Sequence, residues 1–286
     1  MNRPGYTPKR GRTPSRTPPR AASYTTEPGG QILFPTTPDV WALRYPSLAV
    51  PVHGWVFEPH SFPVSDDFGD VPIDDGVESL LGAAFRGRGG GACAEHAGDG
   101  GDVLRSTLAQ AWDCSGNWSL LVTWYRQGEV STVQSNHTIF VAQDSPDARV
   151  FLMQRANNVA GGQNWIFPAV EETLGTVYTA IQQFTADPDD PTYNVGYDTL
   201  FSRSGAQIDA WSWHENAPAN ALHEAVACGA GDDFTNNDVV QALSSTNGGS
   251  GLEGCQIKSV YLFESYLDRD DGDIYRGTAT TSQDEV

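Results

Sequence analysis

A chain of 286 residues with 39% apolar side chains, 30 Gly and 18 Pro can bury a sizeable core and is rich in turns, as expected of one large globular domain or two small ones. Its formal charge of −19 conceals a split: residues 1–20 carry six basic side chains and no acidic one, while residues 21–286 carry the other 11 basic and all 36 acidic groups, leaving −25. A body that negative repels polyanions and anionic lipid, no window approaches the ~18 apolar residues of a membrane span, and no hydrophobic stretch follows the N-terminal cations as a secretory signal requires.

Residues 1–30 read as an extended arm. Pro4, Pro8, Pro14, Pro18 and Pro19 fix backbone torsions and remove amide donors, favouring polyproline-like geometry in which ~20 residues reach about 60 Å. Its cations, Arg3, Lys9, Arg10, Arg12, Arg16 and Arg20, are the candidate contacts to nucleic acid or to a neighbouring subunit, able to neutralise about six phosphates and to release them as salt rises. The steps Thr7-Pro-Lys-Arg, Thr13-Pro-Ser-Arg and Thr17-Pro-Pro-Arg fit the pattern of proline-directed kinase substrates. Phosphate on Thr7, Thr13 and Thr17 would add roughly −1.5 to −2 each and cancel most of the arm's charge. The plainer reading is that proline keeps the arm extended and threonine keeps it hydrated.

The body, 31–286, reads as a single acidic, β-rich unit. "VWALRYPSLAVPVHGWVFEP" (40–59) predicts short strands broken by Pro46, Pro51 and Pro59, and "VESLLGAAF" (77–85) predicts a short helix. The glycines of "RGRGGGACAEHAGDGGD" (86–102) predict a long loop, with its arginines at the surface. "WSLLVTWYRQ", "STVQSNHTIFVAQ", "ARVFLMQ" and "NWIFP", between 118 and 168, predict a four-strand meander. In "VEETLGTVYTAIQQF" the spacing of Leu174, Val177, Tyr178, Ile181 and Phe184 predicts an amphipathic helix. A subdomain break is placed near 186–196. Helices are predicted over 217–230 and 235–245, a strand over 255–267, and a mobile tail over 278–286. The fold class is therefore α+β and β-rich: an antiparallel meander or sandwich-like sheet with a few packed helices, or alternatively a jelly-roll β-sandwich with helical insertions.

No chemistry-bearing constellation satisfies its own spacing rule. His214-Glu215 and His223-Glu224 do not place two histidines one helical turn apart as zinc proteases do. "DRDDGD" (268–273) lacks the distal glutamate of a calcium loop and reads as a solvated turn, and "GRGGG" is not followed by the Lys-Ser/Thr of a phosphate loop. Cys93, Cys114, Cys228 and Cys255 are widely spaced and read as buried free thiols, with one or two disulfides left open. "AWSW" (210–213) could form a stacking or sugar-binding platform, though core or interface packing is the simpler expectation.

Two resemblances follow. A basic, proline-containing arm ahead of a β-rich body is similar in layout to capsid proteins of small icosahedral viruses, which implies an arm that contacts packaged genome or threads between subunits. "RVFLMQRANNVAGGQNWIFPAVEE" (149–172) looks like the strand, turn and Trp-x-Phe-Pro stretch before a Nudix hydrolase helix, but the glutamates that would bind magnesium are missing from "TLGTVYTAIQQF". The expectation is a structural component of a large assembly, a capsid or virion protein, not an enzyme. Its expected partners are copies of itself or other shell proteins and genomic nucleic acid through the arm, with no membrane, no cofactor, no metal site and no catalytic residue. Alternatives are a metal-assisted or glycan-directed hydrolase and a binding module with a kinase-regulated arm. The expected location is the virion, or otherwise an intracellular soluble state.

Overall fold

The computed structural model describes residues 25–26, 32–58, 62–76, 80–95, 104–126, 135–144, 148–156, 163–171, 176–179, 182–185, 195–215, 221–235, 238–245 and 255–277. In chain order the elements are β1 (Thr25–Thr26), β2 (Ile32–Phe34), α1 (Pro38–Arg44), β3 (His53–Val56), β4 (Ile73–Gly76), β5 (Leu81–Ala84) and β6 (Ala92–Glu95). They continue with β7 (Leu104–Ser106), β8 (Trp118–Arg126), β9 (Ser135–Asp144), β10 (Ala148–Ala156), β11 (Gln163–Glu171), β12 (Val177–Thr179) and β13 (Gln182–Thr185). The chain closes with β14 (Val195–Ser204), β15 (Gln207–His214), β16 (Ala221–Ala227), β17 (Val240–Ser245), β18 (Gln256–Phe263) and α2 (Arg269–Arg276).

Two eight-stranded antiparallel sheets dominate. The first runs β12-β11-β10-β9-β17-β7-β4 with β13 also on β11, and the second runs β16-β15-β14-β8-β18-β6-β5 with β3 on β18. Period-two alternation divides their faces. On β8, Trp118, Leu120, Val122 and Trp124 enter the core shared with Phe140, Ala142, Val150 and Val240 of the first sheet, while Leu121 faces the other way. The protein is thus β-rich and antiparallel, a sandwich with few helices.

Both helices cover the outer face of the second sheet. Trp41 of α1, Tyr45 at its C-cap, and Leu267 and Tyr275 around α2 form one buried cluster with Leu121, Leu200, Trp211, Trp213, Tyr261 and Phe263. Strands β14, β15 and β18 are consequently buried on both faces, and polar residues within them, among them Asp198, Ser212 and Lys258, are buried with the apolar ones. Helix α1 starts where Thr37 accepts from the Val40 amide, with Pro38 in its first turn, and it stops before Pro46, whose ring disfavours helical geometry at Tyr45. Helix α2 starts at a capping box between Asp268 and Asp271 and ends at Gly277. Within α2, Gly272 rests on Trp213 so closely that an added Cβ would lie 2.3 Å from the indole ring.

Several local expectations are corrected. Residues 81–84, 177–179, 182–185, 221–227 and 240–245 are strands, where helices were predicted over 77–85, 170–184, 217–230 and 235–245. Apolar residues three and four apart also occur on half-buried strands, and the pairing of β12 and β13 with β11 satisfies backbone groups that a helix would satisfy internally. Those pairings also remove the helix on which the Nudix likeness depends. The predicted four-strand meander is three strands, β9-β10-β11, because β8 pairs with β14 and β18 in the other sheet. Helix α1 replaces part of the strand predicted over 40–59, and α2 replaces the turn predicted at 268–273. The break expected near 186–196 falls mostly outside the described residues. No helix among the described residues is long and apolar enough to cross a membrane.

Candidate functional site

The most concentrated charge in the interior lies on the helix-covered face of the second sheet. Asp198 of β14 is buried there, opposite Thr123 of β8 in register. Its carboxylate accepts from Thr123 Oγ1 at 2.6 Å, from Arg88 Nε and Nη2 at 2.9 and 3.1 Å, and from Arg276 Nε at 3.1 Å. Burial pushes the carboxyl upward, but Arg88, Arg276 and the Thr123 hydrogen bond outweigh it and hold Asp198 below the usual carboxylate range. Four accepted hydrogen bonds occupy the lone pairs a general base would need.

Arg88 is delivered by the β5–β6 turn, where Gly89, Gly90 and Gly91 adopt φ of 87°, 54° and 74°. The guanidinium lies against Phe34 of β2 on one side and Tyr275 of α2 on another, 5.6 and 5.2 Å from the ring centroids. Tyr275 Oη lies 3.0 Å from Thr123 Oγ1 and 3.2 Å from Ser259 Oγ, and its backbone carbonyl accepts from Tyr45 Oη at 3.1 Å. Burial pushes the Tyr275 phenol upward and keeps it protonated. Lys258, at a register irregularity of β18, is fully buried; its amine donates to the Ala92 carbonyl at 2.5 Å and lies 5.4 Å from the Phe34 ring centroid. Burial lowers its pKa to about 8, against the opposing pull of Glu58 and Cys93. Phe34 therefore sits beside two cations, and the network fastens the first strands of the body to β14, to the glycine turn and to α2.

A second buried cation organises one end of the sandwich. Arg203 donates to the carbonyls of Gly205 (2.9 Å), Cys114 (3.2 Å), Asp232 (2.6 Å) and Gly229 (3.1 Å), and lies over the Phe234 ring. It ties three loops together through backbone oxygens.

The residues singled out in the sequence are placed as follows. Arg3, Lys9, Arg10, Arg12, Arg16, Arg20, Thr7, Thr13 and Thr17 lie outside the described residues. His214 points into the sandwich near Tyr197, whereas His223 stacks on Trp211 on the opposite face, 5.2 Å between ring centroids, and lies 2.9 Å from Asp209; the two histidines do not converge. Among the described residues no group of three or more His, Cys, Asp or Glu side chains could hold a metal. Cys93, Cys114, Cys228 and Cys255 are buried free thiols, as expected. Trp211 and Trp213 are buried under α2 and its neighbours and offer no open platform. Of the glycine-turn arginines expected at the surface, Arg86 is exposed and pairs with Glu95, whereas Arg88 is drawn in by Asp198. The signal for that pairing was a lone carboxylate inside the apolar strand "VGYDTLF".

No family model matches the chain, and no curated protein matches its sequence. Solved structures do match in shape. The botulinum neurotoxin serotype D binding domain superposes with TM-score 0.56 at 9% identity, over 79% of this chain and 51% of that one. The binding domain of botulinum neurotoxin DC in complex with SialylT gives 0.54 at 10% identity, over 81% and 52%. The likeness is one of fold. Tailspike protein 2 of an Escherichia coli O157:H7 bacteriophage reaches 0.47 at 9% identity, over 78% and 31%, too low to carry an argument. The chain spans about half the length of the two neurotoxin domains.

Proposed function

We propose that this protein is a structural component of a large assembly, a capsid or virion protein whose basic arm binds nucleic acid or a neighbouring subunit. The observation that carries the reading is the separation of charge: six cations and no acidic group in residues 1–20 against −25 in the rest of the chain. The antiparallel sandwich supports it as a scaffold for shell contacts with copies of itself or other shell proteins. The ion network supports it by anchoring the strands that follow the arm, so that pull on the arm is passed to the sheet. The location that goes with this reading is the virion, with no membrane involved.

The test is binding of a single-stranded oligonucleotide across a salt series. Six cations give a log–log slope of roughly −4, from about −0.7 per phosphate neutralised on single strands. A full-length variant with the six arm cations changed to glutamine should lose that slope. Absence of binding by the native chain at low salt removes the proposal. A binding module with a kinase-regulated arm draws on the same charges and differs by remaining monomeric when polyanion is bound.

A further inference from the structure

Strand β16 stands at the edge of the second sheet, paired with β15 alone over seven residues with no register shift. The Cys228 amide donates to the Ala206 carbonyl at 2.8 Å, which sets the phase of that ladder. The backbone groups of Leu222, Glu224 and Val226 turn toward β15, and those of Ala221, His223, Ala225 and Ala227 turn away from it. The outward groups meet no partner among the described residues. The other edges are guarded, as exposed strand edges usually are. Strand β4 carries Asp74 and Asp75 and a register shift, β5 has a shift beside Gly82 at φ 101°, β3 gives its Gly54 amide to Asp66, and β12 and β13 are only three and four residues long. By contrast β16 has no bulge, no proline, no lysine and no arginine. We infer that β16 is a contact between copies of this chain: it pairs antiparallel, across a twofold axis, with β16 of a second copy, Ala225 opposite Ala225.

This rests on the proposed function, in which the arm gathers the copies, because a few backbone hydrogen bonds do not hold two acidic bodies together on their own. A second copy is the occupant that the sequence of the strand fits. A twofold axis normal to the sheet keeps the outward groups in phase and leaves three registers near the middle of the strand. The one centred on Glu224 sets two carboxylates opposite each other, and the one centred on His223 sets two imidazoles opposite each other. Centred on Ala225, the strand pairs His223 with Ala227 and Glu224 with Val226, so no like charges meet and the small side chains along the seam let the backbones approach. Glu224 is the one acidic residue of the strand, so a chain of −19 meets its copy where repulsion is weak.

Hydrogen-bonded antiparallel pairs hold their Cα atoms about 5.5 Å apart, within the range a disulfide spans. The four native cysteines are buried, so a single introduced thiol is the one that reacts. Full-length Ala225→Cys and Leu43→Cys, the latter at an exposed position of α1, would be assembled on a single-stranded oligonucleotide and oxidised. The expected result is a disulfide-linked dimer through position 225, formed roughly tenfold or more faster than through position 43. Ala225→Pro removes an outward amide and spares the bonds to β15, so it should unfold like native protein, keep its oligonucleotide binding and form smaller particles. Equal cross-linking rates, or Ala225→Pro particles of native size, overturn the contact while leaving the assembly role standing. A thiol at position 225 that stays unlinked yet is shielded from maleimide in intact particles assigns the edge to another extended segment and overturns the pairing of copies. Failure of the native chain to form particles removes the assembly role and this contact with it.

Discussion

Replacing Asp198 with asparagine isolates the ion network with almost no change in volume. The native carboxylate accepts four hydrogen bonds, three of them from two guanidinium groups. An amide keeps one acceptor oxygen and turns an N–H₂ donor toward arginines that can only donate, so two buried cations lose their anion. Breaking a buried ion pair from one side costs about 3–5 kcal/mol, which for a domain of this size lowers Tm by roughly 5–8 °C. Thermal and urea unfolding followed by tryptophan fluorescence reads the loss, because Trp41 and Trp213 lie over the network. Asp75→Asn is the control: its pair with Arg105 at 2.6 Å is open to water and contributes about 1 kcal/mol at most. The pH profile adds a second reading. Asp198 is a carboxyl held below its ordinary range, so its stabilisation is complete above the unfolded value near ~3.9 and is lost as pH falls through the folded one. If Asp198→Asn unfolds with Asp75→Asn, within 1 kcal/mol of native, and keeps the native acid profile, the network does not hold the helices to the sheet.

Arg203→Met should cost about 3–5 kcal/mol, since several buried carbonyls lose their donor at once; limited proteolysis should then cut near 114–116 or 229–232, and an unchanged digest would contradict the caging role. Lys258 gives the same pH sign as Asp198 in a different range: its pKa of about 8 lies below the usual 10.5, so the unfolded chain binds more protons between those values and stability rises with pH. Cys93, pushed up to about 12 by burial, opposes this trend above pH 9, where the unfolded thiol ionises and the folded one does not. The clean window is pH 7 to 9, where native protein should gain on the order of 1 kcal/mol and Lys258→Met should not; parallel profiles for the two proteins would refute it. Gly272→Ala should cost at least 1–3 kcal/mol because the methyl group meets Trp213, and normal unfolding of that variant would show that α2 sits farther from the sheet.

The strong strands were legible because they are rich in apolar, aromatic and β-branched residues; β8 and β18 stand close to where their composition puts them. The second layer was not. "PDVWALR" is a seven-residue helix among prolines, and its local signals were confined to the capping threonine and the first-turn Pro38 and Asp39. "DRDDGD" hid a capping box inside what charge alone makes a solvated turn. Strands β16 and β17 mimic helices because a partly exposed strand also spaces its apolar residues irregularly, and only the partner strand decides. Asp198 and Arg88 lie 110 residues apart, so no local pattern records their meeting. The charge of the arm was legible at once, since it depends on composition and not on pairing.

Sedimentation of the full chain at low salt, with and without a single-stranded oligonucleotide, puts the assembly role to its hardest test. The native protein should move as a multi-copy particle, and the variant with glutamine at the six arm cations as single molecules. Native protein that sediments as single molecules in both conditions contradicts the account.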